Sequence, residues 1–410
     1  EAPHGITIFG QEMDNSTWAL ARMNMILHNQ PGATIQLGNS LANPQFFNPN
    51  SSLKSFDFVV ANPPFSAKAW TTGVKVGPDD PYERFVYGTP PAKNGDYAFL
   101  LHVLKSLKST GKGAVIMPHG VLFRGNAEAT IRQNLVRRGF IKGIIGLPAN
   151  LFYGTGIPAC IVVLDKERAT ERDGIFFVDA SRGFKKEGPK NRLREQDIHK
   201  IVDVFTRQSE VPGYARLVGR AEIEANGYNL NIPRYIDSSE AEDLHDLEAH
   251  LRGGIPNRDI DALCAYWEVF PALRDELFAP GDRPGYSRAK VAPHEVKPLI
   301  LAHPEFRAYA DRAACIVRAW QDAHRPMLAG LGVESKPKEV IHTLAEDLLR
   351  RFDGFPLLSQ YDAYQGLMDY WEAMMQDDVY LVVAEGWQGA AKPRVLVEEK
   401  DKEQKLKETP

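Results

Sequence analysis

The sequence predicts an α/β protein: an open, mostly parallel sheet with helices on both faces and an antiparallel edge, followed by a mainly helical region. Three observations carry this reading. Short apolar runs alternate with helix-period segments through the first half of the chain. Two further apolar runs, 157–164 and 175–178, then follow one another with no long helix between them. Beyond Asp237 helical spacing takes over.

The elements follow in order. Residues 6–9 read as a short apolar strand. Asn15 or Ser16 can cap the next helix, in which Trp18, Met23, Ile26 and Leu27 recur at roughly helical spacing. Thr34–Leu37 is a second strand, and Phe56–Ala61 (FDFVVA) a third that runs straight into Asn62-Pro63-Pro64-Phe65. Residues 97–107 form a helix ending near Gly111, 113–117 a buried strand, 127–137 a helix and 141–147 a strand. Glu195–Arg207 is a helix, and Pro233 breaks the irregular stretch 228–235.

A boundary near Asp237 divides the chain into domains 1–236 and 237–410. In the second, segments 238–251, 259–270, 304–323, 337–352 and 359–375 read as helices. Gly/Pro-rich linkers such as 279–285 separate them, and 380–384 reads as a lone strand. The tail, 398–408, mixes five acidic with four basic residues and reads as a solvated helix or disordered.

Composition sets limits. The 410 residues, 43% of them hydrophobic, suffice for two or more cores. No apolar run approaches the ~18–20 residues that span a bilayer, so a cytoplasmic protein without membrane contact is expected. Cys160, Cys264 and Cys315 are odd in number and far apart, which suits a reducing compartment. None of the eleven histidines pairs with Cys, Asp or Glu at ligand spacing, so no metal is expected. The net charge of -4 lacks the basic surplus of a protein that grips nucleic acid unaided. A basic stretch, 182–194, has six positive residues and one negative, and reads as phosphate-contacting or as a solvated loop. Arg132, Arg137 and Arg138 read as ordinary surface.

The chemistry concentrates in Asn62-Pro63-Pro64-Phe65, at the carboxyl end of an apolar strand, where open α/β sheets bind ligands. An exocyclic amine such as that of adenine is a poor nucleophile, because its lone pair is delocalised into the ring. Two acceptors at its two hydrogens localise the pair: the Asn62 side-chain oxygen and the Pro63 carbonyl. Each proline fixes its own φ and holds the residue before it extended, so the acceptors are placed before the substrate arrives. Phe65 then offers a flat face for a flipped base. A chance turn after a buried strand is the plainer alternative.

Several stretches are more specific: FGQE (residues 9–12), NPPF (62–65), GKGAVIMPHGVLFR (111–124), GLPANLFYGTGIPACIVVLDK (146–166), LREQDIHKIVDVF (193–205) and YNLNIPRYI (228–236). On these, residues 5–236 resemble the modification (methyltransferase) subunits of type I restriction–modification systems, in the N6-adenine DNA methyltransferase family. The helical part resembles that family less distinctly, although 376–383 is similar to some longer members.

The resemblance implies a Rossmann-like S-adenosylmethionine-dependent methyltransferase sheet and methyl transfer to a flipped adenine in double-stranded DNA. It implies partners as well: a specificity subunit, a second modification subunit and, optionally, a restriction/translocase subunit, with the helical half as the contact platform. Asn62, Pro63, Pro64 and Phe65 would be catalytic. Glu12 would accept both cofactor ribose hydroxyls, Asn62 would lie beside the cofactor, and Asn39 stands where Asp usually accepts from the cofactor adenine. There the Asn39 amide oxygen would take over that bond. Phe152 would supply a second aromatic face, with Tyr153 the neighbouring candidate. Phe99 and Asp96 fall near the expected pocket wall and receive no role.

A glycine-rich turn leading into a helix is also implied. Residues 152–156 (FYGTG) lead into an apolar strand, and 384–389 (AEGWQG) lie far from the site, so neither serves. The turn and its strand are expected upstream of Glu1; the chain is then a fragment that binds cofactor poorly as it stands. Two other functions remain open: a methyltransferase acting on protein glutamine or RNA, and a catalytically inactive architectural subunit.

Overall fold

A computed structural model describes residues 5–238 and 245–392. The chain divides into two compact units, Glu1–Glu240 and Ala241–Pro410.

Unit 1 begins with β1 (Phe9–Glu12), α1 (Asn15–Leu27) and β2 (Thr34–Leu37). The first strand lies three residues beyond the expected 6–9, and Ile6 is exposed. The α1 cap is Asp14, not Asn15 or Ser16: its carboxylate accepts from the Thr17 backbone N–H at 2.7 Å and the Thr17 hydroxyl at 2.8 Å. Strands β1 and β2 pair in parallel as a sheet of their own, while the Phe9 ring lies 5.5 Å from Phe56 at the start of β3 (Phe56–Ala61). α1 buries none of its residues, and Leu20, Met23 and Ile26 stand exposed, as do Phe58 and Val60 on β3.

The main sheet adds β4 (Leu107–Pro118), β5 (Ile141–Gly146), β6 (Ala159–Asp165), β7 (Gly174–Asp179) and β10 (Ala215–Gly219), in the order β10-β7-β5-β6-β4-β3. A hairpin of β8 (Lys185–Glu187) and β9 (Lys190–Arg192) stands apart from it. The sheet is mixed, as expected, but its antiparallel member is differently placed. β6 runs antiparallel to both β4 and β5 in the interior of the sheet, and the edge strand is β10, antiparallel to β7. The segment between β5 and β6 holds no helix, so the chain can only reverse there, since parallel neighbours need a long crossover.

Helices α2 (Asp96–Lys105) and α3 (Asn126–Arg137) cover one face and α4 (Glu195–Arg207) the other; α5 (Arg220–Ala225) follows β10. Alternation on the strands makes the two cores. Val115, Met117, Ile144 and Phe177 pack with Leu100, Leu101, Ile131 and Leu135, whereas Ile145, Phe176 and Val178 pack with Ile201 and Val204.

Unit 2 is mainly helical. Within the expected helix 238–251 only α6 (Leu247–Arg252) forms, and 239–244 lie outside the described residues. The expected helix 259–270 is broken into α7 (Asn257–Asp261) and α8 (Cys264–Val269), followed by α9 (Pro271–Leu277). A small sheet joins β11 (Ile255–Pro256), β12 (Phe278–Pro280) and β13 (Tyr286–Ala289), so the linker 279–285 is mostly a hairpin connection. Then come α10 (Pro293–Ala302), α11 (Pro304–Ala329), α12 (Pro337–Arg351), α13 (Gln360–Tyr370), a π-helical turn over Trp371–Met375, and α14 (Gln376–Ala390). The strand expected at 380–384 is therefore helix. Val379 and Val382, three apart, are buried together against Leu344 and Leu348, a helical spacing that a five-residue apolar run hides. The tail 398–408 lies outside the described residues. Among the described residues no helix is long and apolar enough to cross a membrane.

Candidate active site

β3 delivers Asn62-Pro63-Pro64-Phe65 at its carboxyl end. Asn62 is exposed, and among the described residues neither its amide nor the Pro63 carbonyl makes a hydrogen bond. Both acceptors are thus available to a ligand. The turn that follows is tightly held. Ser66 sits at φ +52°, in the left-handed region, and its N–H donates to Asp96 Oδ1 at 2.6 Å. One residue on, the Ala67 carbonyl accepts from Gly95 N–H at 3.0 Å. Gly95 permits this approach: a Cβ there would lie 2.8 Å from Trp70 Cβ. The first residues of α2 therefore clamp the segment that carries the motif.

Phe65 faces Phe152, with ring centroids 5.9 Å apart and planes at 73°. Tyr153 is 95% exposed, so the ring beside Phe65 is Phe152. The Phe152 loop is anchored by the basic hairpin: Lys190 Nζ donates to the carbonyls of Phe152 (2.6 Å) and Thr155 (3.1 Å), and Asn191 Nδ2 to that of Ala149 (2.8 Å). Lys185, Lys186 and Arg192 of that hairpin remain exposed. The glycines of residues 152–156 lead into β6, not into a helix.

Glu12 ends β1, and one carboxylate oxygen accepts from Asp14 N–H at 2.8 Å. The other has no partner among the described residues. Gln11 beside it pins the loop after β2, donating to the Asn43 carbonyl (2.8 Å) and accepting from Gln45 N–H (3.0 Å). Asn39 departs from expectation. Its Oδ1 accepts from Leu41 N–H (2.9 Å) and Ala42 N–H (3.1 Å), which occupies both lone pairs. The amide oxygen expected to accept from a ligand is engaged in a local turn, and what Asn39 has left to offer is the Nδ2 donor. The same turn is braced by Arg84, which donates to the Leu41 carbonyl at 2.7 Å and pairs with Asp80 at 2.8 Å, both side chains buried.

Asp96 and Arg124 are the residues that sequence reasoning missed. Asp96, to which the sequence assigns no role, is 1% exposed and bonds both Ser66 and, at 2.8 Å, Arg124. The i,i+4 pair Arg124–Glu128 was a visible signal, but the link to Asp96 spans 28 residues. Arg132 is buried rather than surface, donating to the carbonyls of Tyr228 (2.7 Å), Val121 (3.1 Å) and Arg124 (3.0 Å). Phe99 packs partly buried against the core. Among the described residues no cluster of three or more His, Cys, Asp or Glu side chains is arranged to hold a metal.

Known proteins extend this picture. The methylase subunit of the type I restriction enzyme MpnII of Mycoplasma pneumoniae is 37% identical over 246 residues, covering 58% of this chain and 45% of that protein. The methylase subunit of the type I restriction enzyme MjaVII of Methanocaldococcus jannaschii is 35% identical over 256 residues, covering 60% of this chain and 43% of its own length. The chain thus spans under half of either curated relative. Among solved structures, the type I restriction–modification methyltransferase subunit from Streptococcus thermophilus superposes with a TM-score of 0.51 at 40% identity, covering 57% of this chain and 49% of that one. Residues 1–244, well over half of the sequence and the whole of unit 1, match the N-6 DNA methylase family. The chain belongs to the N-6 DNA methylase family.

Proposed function

We propose that the protein is the modification subunit of a type I restriction–modification system, methylating adenine at N6 in double-stranded DNA with S-adenosylmethionine. One observation carries the reading above all: two unengaged acceptors, Asn62 Oδ1 and the Pro63 carbonyl, sit on a proline-stiffened turn beside the Phe65–Phe152 pair.

The chemistry follows. S-adenosylmethionine supplies, when bound, an electrophilic methyl group on a sulfonium centre. Asn62 and Pro63 accept the two N6 hydrogens of the target adenine and drive its lone pair out of the ring system and onto nitrogen. With the cofactor bound, N6 held by these two acceptors would take the methyl, the sulfonium's bonding pair would stay on sulfur, and the amine would shed one proton to solvent. Phe65 and Phe152 meet edge to face, so a flipped base enters by turning one ring aside and then stacks where the other edge had been. The free Glu12 oxygen suits a pair of ribose hydroxyls. Asn39 fits the cofactor adenine only as a donor.

The exposed Lys185, Lys186 and Arg192 suit the phosphates flanking the flipped base, because their hairpin is bonded to the Phe152 loop. The net charge of -4 leaves most of the DNA grip to a specificity subunit. A second modification subunit and a restriction/translocase subunit complete the proposed assembly, with the helical unit as the platform.

The test is tritiated methyl transfer to DNA by the protein assembled with its specificity subunit, with Asn62→Ala in parallel. Label should appear in N6-methyladenine and fall about 10²–10³-fold in the variant, as when a transition-state hydrogen-bonding group is removed elsewhere. A folded, cofactor-saturated complex that transfers no label to DNA would sink the reading. Label on protein or RNA instead would move the substrate, and none at all would leave an architectural subunit.

A further inference from the structure

The turn that carries the motif makes few contacts of its own, yet it is fixed from outside. Ser66, the residue after Phe65, holds a left-handed φ that a serine does not adopt without support. That support is Asp96 Oδ1 at 2.6 Å. The second oxygen of Asp96 accepts from Arg124 Nη1 at 2.8 Å, and the same nitrogen reaches Glu128 Oε1 at 3.3 Å. Asp96 and Glu128 are 1% and 2% exposed, and Glu128 Oε2 is buried with no hydrogen-bond partner. Burial raises the Glu128 carboxyl above its ordinary value, against the pull of Arg124.

The arrangement is shaped to keep the guanidinium in place. A Cβ on Gly120 would lie 2.4 Å from Arg124 Nε, so the guanidinium rests where only glycine leaves room. Buried carboxylates bracketing one cation are a costly way to stabilise a fold, since well-packed apolar groups often do as well or better. Their end point here is a single backbone N–H beside the reacting site.

We infer that Glu128, Arg124 and Asp96 form a positioning relay that sets the Asn62 and Pro63 acceptors by holding the Ser66 N–H. None of the three touches substrate; they are positioning residues, and their catalytic effect rests on the methyltransferase reading.

Gly120→Ala is the sharp test. The three atoms nearest its new Cβ all belong to the far end of the Arg124 side chain, so the guanidinium has to shift while the backbone need not. Asp96→Asn is the second variant: it keeps an acceptor for Ser66 but weakens the hold of Arg124. Two readouts are made on the full chain. The first is amide exchange at Ser66 by NMR, which needs no activity. The second is the single-turnover methylation rate in the assembled complex, alongside dissociation constants for DNA and S-adenosylmethionine. The relay predicts that Gly120→Ala speeds Ser66 exchange about tenfold and slows the single-turnover step about 10–100-fold, as small misplacements of reacting groups do. Both dissociation constants should stay within about twofold, because neither ligand loses a contact. Asp96→Asn should show the same pattern with a smaller rise in exchange.

Unchanged Ser66 exchange in both variants would overturn the clamp. Faster exchange with an unchanged rate would overturn its positioning role. A wild-type complex that transfers no methyl group would instead defeat the proposed function, and the exchange measurement would still decide whether the clamp exists.

Discussion

The two sides of the proposed site, a base side around Asn62–Phe65 and a cofactor side around Glu12 and Asn39, are built differently. On the base side, Asn62–Phe65 is backed by buried charge at Asp96 and Glu128, by α2, and by a loop tied down through Lys190. On the cofactor side, β1, α1 and β2 form a small separate layer whose helix buries none of its residues. There Glu12 and Asn39 are held by local turns, and a buried anchor is the Asp80–Arg84 pair reaching Leu41. On the proposed function, preorganisation is thus concentrated where a weak nucleophile has to be aimed, and the proposed cofactor half has less buried polar support.

The largest expected effect breaks that buried anchor. Asp80→Ala leaves Arg84 buried and uncompensated, which should cost about 3–5 kcal/mol of unfolding free energy in urea denaturation. A loss below about 1 kcal/mol would mean the cofactor side is held by something else. The same pair predicts acid sensitivity. Burial pushes the Asp80 carboxyl up, but the bonds from Arg84 outweigh it and leave the group below its ordinary value of 3.8. A depressed folded-state value gives stability that is full above 3.8 and is lost as pH falls through the lower folded value. Denaturation midpoints from pH 6 down to 2 should fall more steeply in the wild type than in Asp80→Ala, the other depressed carboxylates contributing to both.

A middle-sized effect separates two neighbouring aromatics on the base side. Phe152→Ala should slow methylation about 10–100-fold, since stacking a base on an aromatic ring is worth roughly 1–3 kcal/mol. Tyr153→Ala, at a fully exposed ring, should change the rate by less than about twofold. Equal losses in the two would remove Phe152 from the pocket and leave Phe65 as the sole stacking face.

Much of this was readable in the sequence, and the failures share a cause. The strand into Asn62-Pro63-Pro64-Phe65 announced itself by a β-branched run ending in prolines, which is local information. The position of β6 did not, because sheet order depends on which edges are free when a chain without a crossover helix reverses. Asp96 falls near the expected pocket wall but carries no local sign of a role, because its partners at Ser66 and Arg124 lie 30 and 28 residues away. At 380–384 a short apolar run was the same for strand and helix, and burial of Val379 with Val382 decided it. Asn39 is the instructive miss. The hydrogen bonds that occupy its oxygen run to residues two and three further on, a local pattern that asparagine is known to favour.

That miss yields the smallest prediction, and the one that most sharpens the contrast between the two sides. With Oδ1 engaged by Leu41 and Ala42, Asn39 offers only a donor toward the cofactor adenine, whose exocyclic amine is itself a donor. Asn39→Asp would keep the turn through one oxygen and present the other as an acceptor. One added hydrogen bond is worth about 1 kcal/mol, so S-adenosylhomocysteine should bind roughly fivefold more tightly by calorimetry. The analogue carrying hypoxanthine in place of adenine replaces that amine with a carbonyl acceptor, and it should show the opposite preference, favouring the wild-type Asn39. If both ligands bind the two forms equally, Asn39 shapes the loop and does not read the base. The free oxygen of Glu12 would then be the polar hold on the nucleoside that remains on this side of the cleft.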